Sequence, residues 1–161
     1  MTQESVLSRY TRDLFQIYEE TFEKVRGIYL DRNTSLLETL ATISAEEASR
    51  PVSATCASIA AQVEHVRFYM EVMEKILLRH DPGQVDWGEI WRTVEKVTPE
   101  EWEASKARLE ATYRRLMTLL KSFETWDGDE DIGVPMALVV HTAYHLGEIR
   151  QATCTIKTPR N

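Results

Sequence analysis

Two histidines, His141 and His145, stand four residues apart near the end of the chain, in the run His141-Thr142-Ala143-Tyr144-His145-Leu146-Gly147-Glu148. On an α-helix that spacing is about 40° of rotation and about 6 Å of rise. Both rings then leave one face and can reach one ion. Glu148 follows His145 by three residues and stays on that face. Imidazole is a preferred ligand of zinc, nickel, copper and iron. The same spacing also arises on a buried helix whose histidines hydrogen-bond to neighbours. A third histidine, His65, lies in a second apolar stretch. Taken alone it reads as a core residue; taken with the pair it completes a candidate three-histidine metal site. Thr142 follows the first histidine of the pair, so the His-Glu-x-x-His protease pattern, with its general-base glutamate, is absent.

The elements that must position these residues are helical. Leu7, Tyr10, Leu14, Ile17, Tyr18, Phe22 and Val25 recur at spacings of three and four and predict a helix from about Glu4 to Arg26. Arg12, Asp13, Glu19, Glu20, Glu23 and Lys24 fill its solvated face, and Gly27 weakens its end. Ser35-Leu-Leu-Glu38 is a capping box that starts a short helix to about Ile43, and Ser44-Ala-Glu-Glu47 repeats the signal for a brief turn. Arg50-Pro51 ends it. The next helix begins between Ser53 and Ser58 and runs to about Arg79, with Ala61, His65, Phe68, Val72 and Ile76 on one face. His80, before Asp81-Pro82-Gly83, reads as a cation at the helix's carbonyl end.

Residues 81–97 are irregular and carry Trp87 and Trp91, read as core packing with a pocket lining as the alternative. Thr98-Pro99-Glu100-Glu101 starts a helix to about Phe123. The acidic run Asp127–Asp131 lacks the ligand pattern of a calcium loop and reads as a solvated loop. The last helix spans about Pro135 to Ile156. Val134, Leu138, His141, His145, Glu148 and Ala152 share one of its faces, while Val139, Ala143, Leu146 and Thr153 point the other way. An element apolar on both sides is buried on both, which suggests a dimer interface. Four main helices with short connections and no strand pattern predict an all-α fold, a four-helix bundle with one short additional helix, in a single domain over residues 1–161.

The formal net charge of −7 over 161 residues shows no basic face for a phosphate backbone, so no nucleic-acid partner is expected. The two cysteines, Cys56 and Cys154, lack CxxC spacing and read as inert core residues, with Cys154 off the ligand face. No signal peptide is read at the N-terminus and no run of apolar residues is long enough to cross a membrane, so no membrane partner and a cytoplasmic location are expected.

At this point a family resemblance emerges. His141-Thr-Ala-Tyr-His145-Leu-Gly-Glu148-Ile-Arg150-Gln151 resembles the C-terminal motif of the DinB-like superfamily, two histidines followed by Gly-x-Ile-Arg-Gln. Ser58-Ile-Ala-Ala-Gln-Val-Glu-His65 resembles that family's other motif, a serine-isoleucine helix start with a histidine seven residues after the serine. The resemblance covers about Ser35 to Ile156. It implies a DinB-like bundle of four helices, often dimeric, with a divalent metal, nickel or zinc, held by His65, His141 and His145. It also implies kinship with transferases and isomerases that use a low-molecular-weight thiol such as bacillithiol or mycothiol. Two departures stand out. Cys56-Ala57 replaces a Gly-Trp pair before the serine, and Glu148 stands where relatives often carry glutamine.

Three neutral imidazoles leave a divalent ion an open position, the arrangement of catalytic rather than structural sites. There the ion lowers the pKa of water or a thiol, or polarises a carbonyl. Glu148 is the candidate catalytic residue, orienting a histidine or moving protons. Tyr144 reads as bundle packing, or as the edge of the ligand face. The leading expectation is a metal-dependent enzyme acting on a small-molecule substrate, a thiol S-transferase. The alternative is a non-catalytic metal- or small-ligand-binding helical bundle. Trp87, Trp91 and Trp126 can line a pocket in either case.

Overall fold

The computed structural model describes residues 5–157. Among these there are seven helices and no strand. Four are long: α1 (Val6–Phe22), α4 (Ile59–Leu77), α6 (Pro99–Lys121) and α7 (Gly133–Lys157). Three are short: α2 (Leu36–Leu40), α3 (Ala45–Ala48) and α5 (Glu89–Thr93). α4 packs most extensively on α6 and α7, α1 lies against α7, α2 and α3 meet α6, and α5 sits on α4. The chain thus carries three short helices where one and a brief turn were expected. The unforeseen one, α5, follows Asp86, whose carboxylate accepts the Gly88 N–H at 3.0 Å and also pairs with Arg92.

The capping signals act as read. Ser35, Ser44 and Thr98 each accept the backbone N–H three residues on, while Glu38, Glu47 and Glu101 reach back to the cap N–H. Ser58 caps α4 through the Ala61 N–H at 3.1 Å, so the helix starts at the far limit of its expected range. At the other end of α4, Arg79 takes a left-handed φ of 60°. Its N–H reaches the Ile76 carbonyl at 2.9 Å, and the His80 N–H reaches Lys75 at 2.8 Å, a Schellman closure. His80 therefore closes the helix through its backbone, where a ring cation was expected.

Large buried side chains lock the long helices together. Phe22 stacks on Tyr113 with centroids 4.2 Å apart, joining α1 to α6. The Tyr18 hydroxyl donates to the Pro135 carbonyl at 2.8 Å, joining α1 to α7. The Trp102 indole N–H donates to the Ile43 carbonyl at 2.7 Å. Glu64, on α4, accepts from Ser105 and Arg108 of α6 at 2.5 and 2.8 Å and from Arg67 at 2.8 Å. Trp126 packs with Tyr10, Phe15 and Phe123 and joins this core.

Several expectations need correcting. The helix expected from Glu4 to Arg26 ends at Phe22, and its expected first residue lies outside the described residues. Glu20, read as solvated, is wholly buried. Its carboxylate accepts the N–H groups of Arg26, Ile28, Tyr29 and Leu30 at 2.7–3.0 Å, which folds the chain back around it beyond Gly27, itself at φ 84°. Asp131, placed in a solvated loop, is buried and accepts from Arg79 and the Gly128 N–H at 2.8 and 2.9 Å. Both cysteines are exposed rather than in the core. On α7, Val139 and Leu146 are buried in the chain's own core; the outward apolar residues are Met136, Val140 and Tyr144, the last two 65% and 62% exposed. No helix of the described residues is long and apolar enough to cross a membrane.

Glu20 yields a test. Burial pushes its carboxyl up, but the backbone donors from Tyr29, Ile28, Leu30 and Arg26 outweigh that and hold it at about 2, against an ordinary 4.5. A depressed carboxyl stabilises the fold fully above its unfolded pKa and loses that contribution as pH falls. The loss from Glu20 therefore falls between pH 4.5 and about 2. Glu20→Gln removes the charge and turns an amide toward N–H donors. It is expected to lower unfolding stability at pH 7 by roughly 3 kcal/mol in urea titration. A change under about 0.5 kcal/mol, the level of an ordinary surface substitution, would refute the role.

Candidate metal centre

The three candidate histidines meet at the α4–α7 seam. Ser58 fixes the start of α4 and hence the register that carries His65 inward. On α7, His141 and His145 follow Leu138, which is buried, and precede Ile149, also buried, so core packing on the same helix holds the pair toward α4. One ligand nitrogen from each of His65, His141 and His145 lies within 4.8 Å of the others, close enough for the three to bind a metal ion. The Nε2 atoms of His65 and His141 are 3.2 Å apart. Two nitrogens on a tetrahedral zinc are separated by about 3.3 Å, given bonds near 2.05 Å.

The hydrogen bonding of the rings is uneven. Nδ1 of His145 faces two oxygens, Gln62 Oε1 and Glu148 Oε2, each at 3.0 Å. These acceptors assign the proton to Nδ1 and leave the Nε2 lone pair free. Nδ1 of His65 and of His141 are buried without a partner. With no cation between them, the facing Nε2 atoms of that pair satisfy each other only if one donates. A divalent ion would take both lone pairs, so the donor set fits such a group on the chemistry of its atoms.

Aromatic rings pack on the histidines. Tyr69 stacks on His141 with centroids 3.8 Å apart and planes 13° from parallel. Trp91, from α5, lies over His65 at 4.3 Å and 6.2 Å from His145. Burial pushes His65 down to about 4, reinforced by His145 and opposed by Glu148. Burial likewise takes His141 to about 4, reinforced by His145 and His65. Burial lowers His145 too, against the opposing pull of Glu148. All three are thus neutral near pH 7, the state in which imidazole ligates metal.

The outer side is open. A cavity of about 640 Å³ is lined by Ala54, Thr55, Cys56, Ala57, Gln62, Trp91, Tyr144, His145 and Glu148. A second, of about 450 Å³, shares Cys56, Ala57, Gln62, Tyr144 and Glu148 with it. Glu148 accepts the Tyr144 hydroxyl on Oε1 at 2.8 Å while Oε2 faces His145. The carboxylate therefore touches one candidate ligand and the solvent-facing cavity together.

The structure brings His65, His141, His145 and Glu148 together. Trp91 takes the pocket role that was read as secondary, and Tyr144 sits at the cavity edge instead of packing in the core. Trp87 packs edge-on against Phe68 at 5.9 Å, on the α4 surface, and Trp126 sits in the core away from the cavity. Gln62 was missed. Its signal was its place three residues before His65 on the same helix face. Cys56 was missed as a cavity residue because its loop carries no periodicity. No family model, no curated protein and no solved structure matches the chain.

The rings' neutrality predicts a pH response of the metal-free protein. A histidine held near 4 inside, against an ordinary 6.5, costs the fold nothing above 6.5 and destabilises it as pH falls toward 4. Nuclear magnetic resonance of the ring protons should show His65 and His141 titrating near 4, with unfolding stability falling through the same range. Titration of both at 6.5 would overturn the buried, neutral site.

Proposed function

We propose that the chain is a DinB-like four-helix bundle that holds a divalent ion, nickel or zinc, on His65, His141 and His145. On this reading it is a metal-dependent enzyme that transfers a low-molecular-weight thiol to a small electrophilic substrate. The observation that carries the reading is three neutral imidazoles converging within 4.8 Å beside an open cavity. A structural metal site is closed by four protein ligands, whereas a catalytic one keeps a position for water or substrate. The cavity adjoins the cluster at His145, on the side of Gln62 and Glu148. The resemblance in the His141–Gln151 run and at Ser58–His65 supports the family.

When bound, the ion would supply Lewis acidity and favour the thiolate over the thiol. The chain's own residues do the rest. Gln62 and Glu148 fix the His145 tautomer, so that Nε2 presents its lone pair. Tyr69 stacks on His141 and Trp91 covers His65, which holds those rings in place. Glu148, with one oxygen on His145 and the other on Tyr144 at the cavity edge, is the residue placed to accept a proton from a thiol and release it to product. A homodimer through Met136 and Val140 of α7 belongs to the same reading, because those exposed side chains extend an apolar stripe along that helix.

Elemental mass spectrometry of untagged protein tests the centre. About one equivalent of nickel or zinc is expected per chain, lost in His65→Ala and His145→Ala, with a dimer mass by light scattering. A parent that takes up no metal even on reconstitution would sink the enzyme reading and leave a helical binding protein or scaffold.

A further inference from the structure

Most of the partly buried carboxylates among the described residues face a cation or several backbone N–H groups. Glu64 has Arg67 and Arg108, Glu74 has two guanidinium nitrogens of Arg115, Asp131 has Arg79, and Glu20 has a ring of backbone N–H groups. Glu148 has only neutral donors, the Tyr144 hydroxyl and the His145 ring. Its side chain is 40% exposed, and that exposure faces the two joined cavities.

No lysine or arginine is among the described residues that line either cavity, so Glu148 is their only charged group. Three cations on neighbouring segments have other contacts and do not line either cavity. Arg50 donates to the Ile156 carbonyl, Lys157 donates to the Thr42 carbonyl, and Arg150 lines a separate cavity with Asn33 and Thr39. Trp91 and Tyr144 stand on the walls beside the carboxylate. Aromatic rings next to a carboxylate are the recognised chemistry for an organic ammonium group, which gains from both the charge and the ring quadrupole.

We propose that the cavity beside His145 binds an organic cation, its ammonium group seated against Glu148 between Trp91 and Tyr144. The inference goes beyond the metal reading and does not require an ion at the histidines. A bound ion would add positive charge on the other side of His145, so the cation subsite is strongest in the metal-free protein.

The probe is benzyltrimethylammonium, which has no lone pair and cannot ligate a metal. Isothermal titration calorimetry on the metal-free protein should give saturable binding, with benzyl alcohol and benzoate each at least about tenfold weaker. Glu148→Gln should weaken the ammonium probe by roughly tenfold and leave benzyl alcohol unchanged. Trp91→Leu, on an exposed short helix, should weaken it by at least about threefold and serves if the first variant misfolds. Glu95→Gln, at a different cavity, should bind as the parent does. Absence of saturable binding, equal binding by Glu148→Gln, or a preference for benzoate would overturn the proposal. Metal content measured on the same preparations separates the two readings. A parent that never takes up metal yet binds the ammonium retains this inference and loses the metal centre, and the reverse result does the opposite.

Discussion

Three imidazoles in the seam between α4 and α7 impose the constraint on which the rest of the site depends. Ring nitrogens removed from water need partners, and a charged ring there would lack solvation. The structure answers with neutrality, since burial drives His65 and His141 down to about 4. It answers only in part with hydrogen bonds, since Nδ1 of both lacks a partner. Packing must therefore hold the rings in place. Tyr69 clamps His141, Trp91 covers His65, and the seam is fixed from behind by the Glu64 network that joins α4 to α6 one residue before His65. The polar anchoring of Glu64 and the apolar clamping of the rings act on different faces of one helix turn, about 100° apart.

The site is consequently asymmetric. Aromatic rings pack on His65 and His141, while the outer side is a cavity in which one carboxylate bridges a ring and a phenol. His145 is the one histidine of the three with hydrogen-bond support at its far nitrogen, and both supporting groups, Gln62 and Glu148, also line the cavity. A ligand in that space meets the groups that set the tautomer of His145. Ligand binding and ring orientation are thus coupled through two side chains.

Much of this was legible in the sequence because it rests on period and local chemistry. The spacing of His141 and His145 fixes a shared face whatever the tertiary fold, and the serine and threonine caps act within one turn. His65 could be placed on the apolar stripe of its helix for the same reason. The readings that went wrong concern features set by distant chain. Glu20 looked solvated because its partners are backbone N–H groups, which leave no trace in side-chain pattern. Asp131 looked solvated because its partner, Arg79, is far off in sequence and held in a left-handed turn. Trp87 and Trp91 looked like core because indoles usually are, yet α5 is a short helix lying on α4 with too little chain around it to cover them.

Glu148 shows how a single side chain can alter what a site geometry presents. A glutamine there could also accept from Nδ1 of His145 through its one oxygen, with its amide donating to the Tyr144 hydroxyl oxygen, so the ring's tautomer does not require the charge. What glutamate adds is a net negative charge in a cavity whose described lining has no other. Exposed to bulk water that charge would be screened; beside aromatic walls and a buried ring it is screened less. It also raises the basicity of His145 against the lowering that burial imposes, which strengthens that ring as a donor to a metal. The carboxylate thus acts in two directions, inward on the histidine and outward on whatever enters the cavity.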